Sequence, residues 1–145
     1  MNYLKIIKEI IKHTKHDFIS YFKNETLRRK AEKFIELAIT GDDDLLLYKN
    51  EIELMTPDTN DDGSLECSYA LNTSVLLLNL IDFIKTKDVK FYNESVVSFF
   101  DTVDFKTQNE LEKAGNSRPT EKQISSHDYY IKEKKWFKNI VEMNS

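Results

Sequence analysis

Few residues in this chain are placed to do chemistry, and Glu133 is the most conspicuous. It lies four residues after Tyr129 and three before Trp136, inside the apolar stripe of a C-terminal helical stretch. A carboxylate in such surroundings must be paired, hydrogen-bonded or protonated, because an ionised group away from water is costly. Its structural outcome is an ion pair or a hydrogen bond to a tyrosine. Its functional outcome is a general acid or a ligand contact. Asp104 stands at the margin of another apolar stripe. Two carboxylates can divide acid–base work between them, but nothing in the spacing says that these two meet.

Two stretches resemble metal sites. In the segment 58–69, Asp58, Asn60 and Asp62 fall at positions one, three and five of an EF-hand loop, with Gly63 at six and Glu66 at nine. The twelfth position, which should be a bidentate Glu, is Tyr69. The alternative is a turn feeding a helix cap, with acids near the positive end of the helix. Further back, His13, His16 and Asp17 share a helix face, but Lys12 and Lys15 flank them and His127 is the only other histidine. No metal and no cofactor is expected. Phosphate-binding glycine loops, nucleophile elbows, Cys–His dyads and HExxH signatures are missing, which argues against an enzyme.

Charge is distributed unevenly. Residues 1–35 hold nine Lys or Arg against four acids, whereas residues 36–66 hold one Lys against ten acids. Asp42, Asp43, Asp44, Asp58, Asp61, Asp62 and Glu66 form an acidic block that is either a solvated surface or a docking patch for a basic partner. Lys5, Lys8, Lys12 and Lys15 recur at helical spacing, yet the net charge of −4 and the nearby acids argue against nucleic acid. The single cysteine, Cys67, excludes an internal disulfide, and the N-terminus lacks a secretion signal; a reducing, cytoplasmic location is expected.

These residues need a scaffold, and the pattern is helical throughout. Three Gly and two Pro in 145 residues favour long helices with short links. The stretch from Glu66 to Ile84 is apolar nearly all the way round, with a thin strip of Ser68, Asn72, Asn79 and Asp82. A helix of that kind is surrounded by other helices, and its polar interruptions argue against a membrane span. Thr73 and Ser74 on its buried side are expected to bond back to carbonyls one turn earlier.

Helices are predicted over 2–22, from an Asn24 cap to Gly41, and from Leu45 to Met55. Others follow at about 89–113 and from an Asp128 cap to Met143. Pro57–Ser64 is the clearest loop. Thr120 and Gln123 fit a capping box.

From Pro57 to Val141 the chain resembles a bacterial family, domain of unknown function 416. The shared features are PDTNDD leading into SYALNTSVLLLNLIDFI, the segment TVDFKTQNEL, and the spacing of Glu133 and Trp136. The resemblance implies an all-helical fold and a link to signalling, and it carries over no catalytic residue. The chain is shorter at its N-terminus than typical members.

The expectation is therefore an all-α protein: a single domain over 1–145, a compact bundle of five to six helices around a central buried helix at about 66–84. The expected function is non-catalytic binding, with an immunity protein that neutralises a basic bacterial toxin as the leading reading. A regulatory module, and an enzyme or small-ligand bundle using Glu133 and Asp104, are the alternatives.

Overall fold

Seven α-helices and one 3₁₀ helix carry the fold, and no strand is present. The structure, a computed structural model, describes all of residues 1–145. Helix α1 (Tyr3–Ile19) starts at Asn2, whose side chain accepts from the Lys5 amide. Ile6, Ile7, Ile10, Ile11 and Phe18 recur at helical spacing, and all five are buried. The helix stops at Ile19 rather than at residue 22; Tyr21 and Phe22 lie in the link.

Helix α2 (Glu25–Thr40) has the predicted ends. The Asn24 side chain accepts from the Leu27 amide, and Gly41 closes the helix at φ 73. That left-handed conformation favours glycine, and a Cβ there would also meet the Lys8 ammonium at 2.5 Å.

The next segment departs from expectation. Asp43–Tyr48 winds as a 3₁₀ helix capped by Asp42, and only Lys49–Met55 (α3) is α-helical. The break leaves Leu45 and Ile52 buried but turns Leu47 and Leu54 outward.

Helix α4 (Leu65–Thr86) is the most buried element. Ser64 caps it, and the chain leaves it through Lys87 at φ 60. It packs along α5 (Val89–Lys113) and α1, with α3 and α2 also against it. Leu76, Leu77, Leu80 and Ile81 are essentially fully buried, and each such side chain contributes roughly 1.5–3 kcal/mol relative to exposure. By length and composition alone this helix could cross a membrane. The polar interruptions therefore do not distinguish it from a span. Its packing inside its own chain is what accounts for its apolar character.

Hydroxyls on α4 join it to its neighbours. Thr73 bonds back to the Tyr69 carbonyl as expected, at 3.3 Å, and also reaches the Thr14 carbonyl on α1 at 3.5 Å. Ser74 instead meets the Thr56 hydroxyl beyond α3, at 2.8 Å.

The C-terminal region adds two helices. Thr120 and Gln123 form the predicted capping box, and the segment closes into a short helix, α6 (Glu121–Ser126). Helix α7 (Asp128–Met143) is capped by His127, whose Nδ1 accepts from the Tyr129 amide at 3.1 Å, and not by Asp128. An imidazole nitrogen can replace the usual oxygen acceptor because it offers the same lone pair to the same orphan amide. The Asn2 amide donates to the Asn144 carbonyl at 2.7 Å, so the two ends of the chain touch.

Candidate functional site

Glu133 is buried and paired. Its Oε2 lies 2.6 Å from His13 Nε2 on α1, 120 residues away in sequence. The His13 ring stacks on Trp136, with centroids 3.8 Å apart and planes 13° from parallel, and Phe99 lies beside both rings. Tyr129 is one turn from Glu133 on α7 and does not bond to it. Burial first, then Glu133, Asp17 and Tyr69, push the Tyr129 phenol far above its ordinary range.

Asp104 stands elsewhere. It lines a cavity of about 500 Å³ with Glu121, Lys122 and Tyr130, and Glu133 does not line it. Burial, with Asp101 and Glu121 nearby, raises the Asp104 carboxyl above its ordinary value. No hydrogen bond or shared cavity brings Asp104 and Glu133 together, so the geometry does not assemble them into an acid–base pair.

The residues of the two metal-like stretches have other partners. His13 faces Glu133, and Asp17 takes both of its contacts, each 2.9 Å, from Lys106. In the loop, Asp58 accepts from the Asn60 amide at 2.8 Å. Asp62 accepts from the Ser64 amide at 2.9 Å and from the Tyr21 hydroxyl at 2.8 Å. Those bonds hold the Asp62 carboxyl below its ordinary value, Ser64 contributing more than Tyr21. No group of three or more His, Cys, Asp or Glu side chains is clustered as a metal site.

The acidic block is an extended strip and not a single patch. Asp42–Asp44 sit at the Lys8 end of α1, beside Gly41, whereas Asp62 is held by Tyr21 past the other end. Lys8 and the end of α1 at Ile19 are eleven residues apart, roughly 17 Å at helical rise. Along the chain the 3₁₀ helix and α3 connect the two clusters, and Glu51 and Glu53 on α3 are exposed. Lys30 approaches Glu51 at 3.9 Å, and Lys33 donates to the Tyr48 hydroxyl at 2.7 Å. The basic residues nearest the strip thus come largely from α2 and less from α1. None of Asp42, Asp43, Asp44, Asp58, Asp61, Asp62 or Glu66 forms an ion pair.

Sequence reasoning missed two exposed leucines on the segment between the acidic clusters. Leu47 and Leu54 are 78% and 86% exposed. The sequence reading runs one helix from Leu45 to Met55 and gives neither residue a role, and the 3₁₀ winding of Asp43–Tyr48 shifts the face on which Leu47 falls. The 3₁₀ helix turns every three residues and the α-helix every 3.6, so periodicity read across the junction loses register. No family model, no curated protein and no solved structure matches this chain.

Proposed function

We propose that the chain is a non-catalytic binding protein that covers a basic protein partner with its acidic strip, as an immunity protein does with a toxin. The observation that carries this reading is the pair Leu47 and Leu54, 78% and 86% exposed on the segment that links Asp42–Asp44 to Asp58–Asp62. An apolar anchor within a charged rim is the usual anatomy of a protein interface. Burying the two leucines against a partner contributes roughly 1.5–3 kcal/mol each. The carboxylates steer a basic surface inward, an effect felt over about 8 Å at physiological salt.

In the same reading, 1–145 is one domain arranged about α4, and the helices serve to present the strip. A regulatory module remains the second reading; it rests on the expected resemblance of residues 57–141 alone, and no family model matches the chain. The acid–base alternative loses its support because Glu133 and Asp104 do not meet.

The test is affinity capture from the native cell, followed by binding measurements with the purified partner. Leu47→Asp with Leu54→Asp, and Asp43→Asn with Asp44→Asn, should each weaken binding, and salt should weaken it further. A partner whose binding is indifferent to all of these changes overturns the reading. A captured partner that is a basic enzyme inhibited by this chain supports neutralisation, whereas a sensor or kinase supports regulation.

A further inference from the structure

A cavity of about 390 Å³ opens where α4, α5 and the link between α6 and α7 meet. Its volume is in the range of small-ligand sites. Tyr69 and Tyr129 form its aromatic walls. The hydroxyl of Tyr69 is buried without any hydrogen-bond partner. Burial, then Glu66, Asp17 and Glu110, raise the pKa of that phenol, so it stays protonated.

The polar groups around the cavity are of both signs. His127 Nδ1 accepts from the Tyr129 amide, so this nitrogen carries no proton. The ring proton is therefore on Nε2, which has no partner in the chain and is free to donate. Lys106 gives two contacts to Asp17, both 2.9 Å, and an ammonium has three N–H groups, so one remains. Its Nζ lies 5.1 Å from the centroid of the Tyr69 ring. Glu110 follows Lys106 by four residues on α5, yet the two form no ion pair. Such positions are about 5–6 Å apart on a helix surface.

We propose that this cavity binds a small zwitterion of amino-acid size, with a neutral side chain. Its carboxylate meets the free N–H groups of Lys106 and His127, its ammonium meets Glu110, and its side chain lies against Tyr69 and Tyr129. A simple anion would face Glu110 and Asp17, and a simple cation would face Lys106. Only a ligand carrying both charges, held on one carbon as in an α-amino acid, offsets each of these repulsions. Aromatic faces favour an apolar or aromatic side chain over a charged one. The proposal is independent of the acidic strip, because none of its residues belongs to that surface.

The test is an NMR-monitored titration of the full chain with L-phenylalanine, L-leucine and L-methionine, beside phenethylamine and 3-phenylpropionate, which each lack one charge. At least one amino acid should give saturable shifts at the amides of Tyr69, Lys106, Glu110 and Tyr129. Loss of either ligand charge, or Glu110→Gln, should weaken binding by roughly tenfold, the scale of one charge-assisted hydrogen bond. Glu110 is exposed and unpaired, so its substitution leaves the fold intact, whereas Lys106→Met also strips Asp17 of its partner and is read beside a melting curve. Failure of all three amino acids to saturate overturns the proposal. So does equal binding of either truncated analogue, or an unchanged Kd in Glu110→Gln.

Discussion

Glu133 and His13 join the last helix to the first: Oε2 of one lies 2.6 Å from Nε2 of the other. Trp136 covers the imidazole face to face at 3.8 Å. The carboxylate is buried and the imidazole partly open. The pair therefore closes the C-terminal helix onto α1 and satisfies a polar group that the α7 stripe would otherwise leave bare.

His13→Ala should consequently destabilise the protein by about 1–3 kcal/mol, the cost of leaving a buried acceptor unsatisfied. His13→Phe combined with Glu133→Leu should be milder than the sum of the two single changes, because it removes both partners and keeps a ring against Trp136. A double-mutant cycle by denaturant unfolding checks this. Additive single effects would mean that the contact contributes nothing.

Two neighbours on α3 should behave oppositely. Ile52 is fully buried and Leu54 is 86% exposed. Ile52→Ala should cost about 2–5 kcal/mol, whereas Leu54→Ser should stay within about 0.5 kcal/mol. Chemical unfolding of both variants checks which face of α3 is turned to the core.

Acid should act on two aspartates with opposite sign. The Asp62 carboxyl is held below its ordinary value of 3.8 by Ser64 and Tyr21. Its contribution to stability is thus present above the unfolded pKa and lost as pH falls through the lower folded value. Asp62→Asn should flatten the acid limb of the stability profile.

Asp104 is raised above the same 3.8 by burial and by Asp101 and Glu121. The fold therefore favours its protonated form, a gain present below the unfolded pKa and lost as pH rises through the folded one. Asp104→Asn should stabilise the protein slightly at neutral pH, by about 0.5 kcal/mol or less because the group is largely solvated. The difference should vanish below about pH 4, near the ordinary carboxylate value. Melting temperatures of the variants across pH 3–8 distinguish the two signs.

Lys87 is the sole residue between α4 and the cap of α5, and it holds φ 60 without being glycine. Lys87→Gly should stabilise the fold by about 0.5–1 kcal/mol, since the left-handed conformation costs roughly 1–2 kcal/mol for a residue with a Cβ and glycine's extra chain entropy returns part of it. Thermal unfolding measures the change, and a loss of stability would place the strain elsewhere.

Much of this fold was legible because its signals are local. The caps at Asn24, Gly41 and Thr120 concern backbone groups three or four residues away, and they form where the sequence puts them. The burial of α4 followed from its apolar circumference. Glu133 announced a need for a partner but not its identity, because His13 is 120 residues distant and only packing brings it close. His127 was hidden as a cap because histidine rarely fills that position, and the neighbouring Asp128 offered a more ordinary acceptor. The 3₁₀ winding of Asp43–Tyr48 was hidden for a different reason: leucines at 45, 46 and 47 fit any helical register, so only the shape of the core they meet decides between them.

The amide of Asn2 rests on the carbonyl of Asn144, and this makes the order of the helices separable from their arrangement. A few flexible residues would bridge that junction into a closed ring, and the ring could be cut afresh in the exposed link at Asn116–Ser117. Such a permuted chain would begin at α6 and α7 and run directly into α1, so that Glu133 and His13 become near neighbours in synthesis. The helix pair that closes the native fold last along the chain would then be available to start it.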